Sequence, residues 1–384
     1  MRERVQKITL SVIKADVGSI GGHTKPSDRM LSVVSNELST QCGEILLLRD
    51  YMVTHTGDDI ALIMSHEKGV GNKDIHQLAW KCFEMATKAA QDDGLYGAGQ
   101  DLLVNAPSGN IRGAGPAVAE IEFDLLPHYR KAEAFMIFTA DKCAPGAYNF
   151  PLWNTFCNVI KNTGLLLSPV LNQGFKMVIL DMDHKSKTHD KKITIDIPEE
   201  SWDAAALLMD TDRFAVESIY SRAYPEEKIV SVSATRLHNI AGTYTGKDDP
   251  VMIMRTQGIF PAPEEAVAPY QDTPYVSGDC RGSHIMTLMP MAINSQVSGE
   301  FCQPIVSAIA CSMNKNGRFS NAWADIFGGC EWNTARQEAV QKSTAIRRQG
   351  PFGPSMASRT ELAYTGLTSI MARLNGKFIL YEQG

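Results

Sequence analysis

The 384-residue chain contains no Cys-x-x-Cys pair, and none of its eight cysteines (42, 82, 143, 157, 280, 302, 311 and 330) has histidine partners at zinc-ligand spacing. This spacing offers no zinc-ligand set. The scattered thiols read as free, apolar side chains of a reducing, cytoplasmic compartment. Excess positive charge is also missing: 37 Lys and Arg face 43 Asp and Glu, a formal net charge of -6. Nothing polybasic therefore points to nucleic acid or to an anionic membrane surface. Long hydrophobic runs are absent too. The richest stretches, 44–53 and 60–64, fall well short of the ~20 apolar residues a membrane span needs, and Met1 leads through Arg2-Glu3-Arg4 into strand-like sequence. No membrane span and no signal peptide are expected. There is no fixed-period repeat and no Gly/Ser-rich linker, so one domain over 1–384 is expected, long enough to bury a sizeable core.

What is present is a series of strand-like segments that end in aspartate. Residues 7–15 alternate, are rich in β-branched side chains, and stop at Asp16, followed by Gly18, Gly21, Gly22 and His23. A helix should follow Pro26, with Met30, Leu31, Val34 and Leu38 on one face. Residues 45–53 and 60–65 read as a hairpin that carries Asp58 and Asp59 at its tip or at the mouth of its second strand. Asn72 is placed to cap a helix to about Asp93, because Ile75, Leu78, Ala79, Cys82, Phe83, Ala86 and Ala90 keep helical spacing. Two glycine-rich stretches, 94–103 and 108–116, are too apolar for linkers and suit a backbone that approaches something closely. Further strands are expected at 117–123, 134–140 (ending in Asp141-Lys142), 174–182, 192–197, 215–222, 228–235, 251–255, from Cys280 through Met291, and 301–313. Helices are expected at 199–209, from a Thr334/Gln337 capping box to about Arg348, and at 360–374. Sheets covered by helices, an α+β or α/β unit, fit this order better than a barrel of strict alternation.

Collected together, the edge carboxylates are Asp16, Asp58, Asp59, Asp141, Asp248 and Asp249, with His23 and Gln100 as neutral oxygen or nitrogen donors. Each aspartate alone could equally be a cap or turn residue. As a set they repel one another unless cations compensate, and a shell dominated by oxygen favours several Mg2+ or Mn2+ ions over Zn2+. Lys142, Arg112 and Arg281 near the same edges suit phosphate oxygens, so the residues point to metal-assisted phosphoryl chemistry. Tyr244-Thr245-Gly246-Lys247-Asp248-Asp249-Pro250 is good turn sequence, but it also sets a phenol three residues before an amine. A lysine amine attacks a carbonyl only when neutral, and its neighbouring acids oppose that form.

The strings Ser11-Val12-Ile13-Lys14-Ala15-Asp16-x-Gly18-Ser19-x-x-Gly22-His23, Thr56-Gly57-Asp58-Asp59, Leu95-Tyr96-Gly97-Ala98-Gly99-Gln100-Asp101, Asp141-Lys142-x-x-Pro145-Gly146-Ala147-Tyr148-Asn149, Tyr244-x-Gly246-Lys247-Asp248-Asp249-Pro250 and Arg281-Gly282-Ser283-His284 resemble the archaeal-type bifunctional fructose-1,6-bisphosphate aldolase/phosphatase family. The matches run in order from residue 7 to about 364. The resemblance implies a four-layer α-β-β-α sandwich, a homo-octamer with residues of about 350–384 at a subunit interface, several Mg2+ ions, and one site for both reactions. It implies that Lys247 forms a Schiff base with dihydroxyacetone phosphate, that Tyr244 moves the proton before attack on glyceraldehyde 3-phosphate, and that Asp16 activates the water that removes the 1-phosphate of fructose 1,6-bisphosphate. Asp16, His23, Asp58, Asp59, Gln100, Asp141, Asp248 and Asp249 would hold the metals. His23, Tyr96, Gly109, Asn110, Lys142, Gln257, Arg281 and Tyr364 would line the sugar-phosphate site. One departure is Phe301-Cys302-Gln303-Pro304-Ile305, where the family carries an aspartate at the position of Cys302. A thiol cannot replace a carboxylate acceptor, so that contact is weaker here or another residue supplies it. A Mg2+-dependent sugar phosphatase without aldolase activity, and a non-enzymatic sugar-phosphate sensor, are the alternatives.

Overall fold

Alternation of apolar and polar side chains in the first strand decides how the layers stack. In β1 (Gln6–Asp16) successive side chains point to opposite faces, so Ile8, Leu10 and Val12 enter one apolar cluster and Ile13 and Ala15 another. A computed structural model describes residues 6–102, 115–125, 132–184, 189–233, 247–279, 283–297, 303–348 and 365–382.

The elements in chain order are β1, α1 (Asp28–Thr40), β2 (Asp50–Thr56), β3 (Asp59–His66), α2 (Lys73–Asp92), β4 (Ala117–Leu125), β5 (Ala132–Asp141), α3 (Asn149–Cys157), α4 (Gly164–Leu167), β6 (Phe175–Asp181), β7 (His189–Ile197), α5 (Ser201–Leu208), β8 (Phe214–Ser221), β9 (Lys228–Val232), β10 (Val251–Thr256), α6 (Pro263–Val267), β11 (Tyr275–Asp279), β12 (Ser283–Thr287), β13 (Met289–Pro290), β14 (Ile305–Asn314), β15 (Phe319–Asp325), α7 (Asn333–Arg347), α8 (Thr365–Asn375) and β16 (Ile379–Glu382). They form an α+β fold. A small sheet runs β2-β3-β1-β4, and a large one runs β13-β14-β5-β10-β9-β8-β6-β7-β16 with β15 on β14. Strands β11 and β12 pair separately.

Among the described residues, the three largest apolar clusters hold these parts together. One packs Ile13, Ala15, Ile60 and Leu62 against Met30, Val34 and Leu38 of α1 and Ile75, Phe83 and Ala86 of α2. A second joins the sheets, with Ile8, Leu10, Val12, Ile63 and Ile121 against Phe135, Ile137, Val251, Ile253 and Ile309. The third sets the large sheet's Met136, Phe138, Met252 and Met254 against Leu152 and Phe156 of α3 and Leu207 of α5. The helix starts follow local chemistry: Ser27 and Asn72 each accept from the first-turn backbone.

Several expectations shift. The second strand begins at Asp50 and not at Ile45, which is 97% exposed, because the register with β3 runs from Asp50↔Ser65 to Thr56↔Asp59. Thr334 makes no capping box: the chain enters α7 from a 3-10 turn, so Trp332 occupies the cap position without a side-chain bond. The last helix is described from Thr365, where 360–374 was expected; residues 360–364 lie outside the described residues. It docks on its own chain through Arg373 with Asp203 and Lys377 with Glu200.

Candidate active site

The end of β1, the β2–β3 turn, the end of β5 and the entry to β10 meet at one end of both sheets. Asp16 and Asp59 are direct cross-strand partners, and Thr56 Oγ1 bonds Thr139 Oγ1 at 2.7 Å across the two sheets. Gly57 turns the hairpin at φ +57, and a Cβ there would lie 1.6 Å from Asp141 Oδ2. Only glycine lets this turn press against Asp141, whose Oδ2 accepts from the Asp58 backbone N–H at 3.3 Å.

Ligand atoms of Asp16, His23 and Asp58 lie within 4.8 Å of one another, as do those of Asp58, Asp59 and Asp141. Asp58 belongs to both groups. His23 Nδ1 stands 3.3 Å from Asp58 Oδ2 and packs edge-on to Tyr96, ring centroids 5.0 Å apart. Tyr96 is held there by reciprocal backbone bonds with Ser19. Lys142 donates to Asp58 and, at 2.8 Å, to Asp141. Asp249 is fixed by two bonds to the Cys143 backbone: its N–H donates to the Cys143 carbonyl at 2.7 Å and its side-chain Oδ1 accepts from the Cys143 N–H at 2.8 Å. Lys142 and Asp249 stand at these bonds in left-handed backbone, φ 61 and 49. That conformation costs a non-glycine residue on the order of 1–2 kcal/mol and is held only where the surroundings over-determine it.

Lys247 is buried, and its Nζ donates to Asp248 Oδ1 at 2.8 Å and to Asp101 Oδ1 at 3.4 Å. Asp101 also accepts from the backbone N–H of Asp16 at 2.9 Å and of Gly115 at 3.3 Å, tying the glycine loops to the end of β1.

Burial and mutual repulsion dominate the electrostatics. Burial raises the Asp16 and Asp249 carboxyls well above the usual range, with the charges of Asp58 and Asp59 adding to it for Asp16, and of Asp59 and Asp248 for Asp249. Asp141 is pushed up to about 8 by burial against the pull of Lys142, and Asp101 to about 6 by burial against Lys247. For Asp58 burial is outweighed by Lys142 and His23, so its carboxyl is lowered. In Lys247 burial is outweighed by Asp101, Asp248 and Asp249, and the ammonium is strongly favoured. The cage thus lacks positive charge, which a divalent cation would supply. A second observation fits a cation: the buried Gln100 Oε1 has no hydrogen-bond partner among the described residues, and an amide oxygen is a good hard-cation ligand.

A family model described as fructose-1,6-bisphosphatase matches residues 7–379. The chain belongs to the fructose-1,6-bisphosphatase family. It is 48% identical to a Thermus thermophilus protein named fructose-1,6-bisphosphate aldolase/phosphatase, over 97% of this chain and 99% of the relative. Relatives of the same name from Cenarchaeum symbiosum, 43% identical over 97% of this chain and 95% of that one, and from Methanocaldococcus jannaschii, 40% identical over 98% and 93%, match as fully.

Within this fructose-1,6-bisphosphatase family chain, the expected residues Asp16, His23, Asp58, Asp59, Tyr96, Asp141, Lys142, Lys247, Asp248 and Asp249 come together in the contacts above. Gln100 belongs to the loop whose Asp101 bonds the Asp16 backbone. Gln257 is not among these contacts: it follows β10, whose six residues alone span about 20 Å of extended chain. Gly109, Asn110, Tyr244, Arg281, Cys302 and Tyr364 lie outside the described residues. The family strings contain Lys14 and Asp101, but sequence reasoning gives neither a role. The available signals were a lysine two residues before Asp16, hence on its face of β1, and an acid next to Gln100.

Proposed function

We propose that this chain is a bifunctional enzyme. It joins dihydroxyacetone phosphate to glyceraldehyde 3-phosphate through a Schiff base on Lys247, and then removes the 1-phosphate of fructose 1,6-bisphosphate to leave fructose 6-phosphate. The observation that carries this reading is a buried lysine sharing one carboxylate, Asp101, with the backbone of Asp16, beside two three-ligand groupings.

In the condensation half, neutral Lys247 Nζ adds to the ketone carbon, water leaves, and a C=N bond forms. Loss of a proton from the adjacent carbon, for which we assign Tyr244 as acceptor, gives the enamine that attacks the aldehyde; the aldehyde oxygen takes up a proton, and water then cleaves the C=N bond to free Lys247 and fructose 1,6-bisphosphate. Lys247 must first give up its own proton. Of its partners Asp248, at 2.8 Å, and Asp101, at 3.4 Å, we assign Asp101, with its carboxyl raised, as the acceptor, and the ion pairs with both must break. In the hydrolytic half, Asp16 takes a proton from water as the water oxygen attacks phosphorus, and the bond from phosphorus to the sugar oxygen breaks, that oxygen taking up a proton as it leaves. Lys142, between Asp58 and Asp141, directs positive charge at phosphate oxygens. We assign Asp16, His23, Asp58, Asp59, Gln100, Asp141, Asp248 and Asp249 to several Mg2+ ions. When bound, Mg2+ polarises phosphoryl oxygen and acidifies water. His23, Tyr96, Lys142, Gly109, Asn110, Gln257, Arg281 and Tyr364 are assigned to the sugar phosphate, Gln257 from beyond the end of β10.

The second reading, a phosphatase alone, is favoured by the tight pairing of Lys247, which holds it protonated. Incubation with both triose phosphates and Mg2+ separates the two: we expect fructose 6-phosphate and inorganic phosphate in equal amounts. Phosphate release from added fructose 1,6-bisphosphate without any condensation would leave the second reading, and no turnover of either would remove both. We further propose a cytoplasmic homo-octamer of this one domain, with residues of about 350–384 at a subunit interface. The free cysteines support the compartment, and the exposed side chains of Ile160, Leu167 and Trp202 support subunit contacts.

A further inference from the structure

Lys14 is a charged side chain in a row that is otherwise built for the oily layer between the sheets. Side chains 8, 10, 12, 14 and 16 of β1 share one face; the first three enter the inter-sheet cluster and the last is Asp16. Lys14 is 1% exposed. Its cross-strand partners are Ala61 on one side and Ala117 on the other, and cross-strand partners point to the same face. Two methyl groups thus leave a channel for the long lysine chain, whose Nζ donates to Asp59. Asp141 and Asp249 also attract it. The next pair along the row is Asp16 opposite Asp59, two like charges in a position that destabilises a sheet.

We propose that Lys14 is a built-in counter-cation of the acid cage, a positioning residue that holds Asp59 and keeps the cage assembled before divalent cations bind. The proposal rests on the metal reading of that cage. Lys142 and Lys247 have their own work at the reacting groups, whereas Lys14 reaches Asp59 from below, along the inter-sheet face of β1. A lysine that merely filled space would contribute equally with and without metal. A counter-cation contributes most when no metal is bound, because bound cations supply the charge it would otherwise provide alone.

Thermal unfolding of the full chain in chelator and in saturating Mg2+ separates these roles. The wild-type protein should be stabilised by Mg2+. Lys14→Met should lose roughly 5–10 °C in chelator and recover most of that loss in Mg2+, so its Mg2+-induced shift exceeds that of wild type. Adding Asp59→Asn to Lys14→Met should restore much of the metal-free Tm, since the stranded charge is gone. An equal loss in both conditions, or none in either, would overturn the proposal. If Lys14→Met does not fold, the double variant decides: its folding supports the counter-cation role and its failure to fold refutes it. A wild-type protein indifferent to Mg2+, by calorimetric titration as well as by Tm, removes the metal reading itself and this inference with it.

Discussion

Lys247→Arg will abolish condensation of the triose phosphates while phosphate release from fructose 1,6-bisphosphate persists. Arginine keeps the positive charge between Asp101 and Asp248, so buried Asp101 and half-buried Asp248 are not left uncompensated, a change that for a buried pair costs about 3–5 kcal/mol. A guanidinium is not deprotonated in proteins and cannot form the C=N bond. Borohydride added with dihydroxyacetone phosphate should label wild-type Lys247 irreversibly and leave the variant unlabelled. Label on another lysine, or condensation surviving in the variant, would sink the Schiff-base assignment. Joint loss of both activities would instead mean that Lys247 also positions the hydrolytic groups through Asp101.

Asp58→Asn will lower phosphate release by at least ~10²-fold, a magnitude expected when a cation-binding or charge-stabilising group is lost. Asp58 is the shared member of both three-ligand groupings, and among the described residues it alone pairs with both His23 and Lys142. The amide is nearly isosteric but carries no charge, so the hairpin keeps its shape while Lys142 loses one of its two acids. Release measured against Mg2+ concentration should show a weaker metal requirement curve, displaced to higher Mg2+, as well as a lower plateau. Unchanged rates at all concentrations would move the metal assignment away from the hairpin.

How much of this could be read from the chain depends on how local each determinant is. Helix α2 was legible because Asn72 and the period of Ile75, Leu78, Cys82 and Phe83 lie within one segment. The edge aspartates were legible because strands of alternating residues end visibly. The start of β2 was not: Ile45, Leu46 and Leu47 look like strand, but pairing with β3 selects the more polar 50–56. Helix α3, with Asn149 and Pro151 in its first turn, carries no clear period, and β16 exists through its pairing with β7. In the site, Gln257 lies close to Asp249 in sequence but outside its contacts, because a strand separates them. Lys14 was hidden for a related reason. A lysine in a strand reads as solvent-facing until the second sheet is known to pack over its face.

The cage has walls from two different sheets. Asp16, Asp58 and Asp59 come with β1, β2 and β3; Asp141, Lys142, Asp248 and Asp249 come with β5 and β10. Between the sheets lie Val12, Ile63, Ile137 and Ile253, with no part in the chemistry. The thickness of that hydrocarbon layer therefore sets the gap across which opposing oxygens face each other. Mg2+ and Ca2+ differ by only about 0.3–0.5 Å in their preferred distance to oxygen, and a packed interior registers a change of a single methylene. The choice of ion is thus open to adjustment from the greasy interior, by branching or shortening an aliphatic side chain, with every ligand left in place.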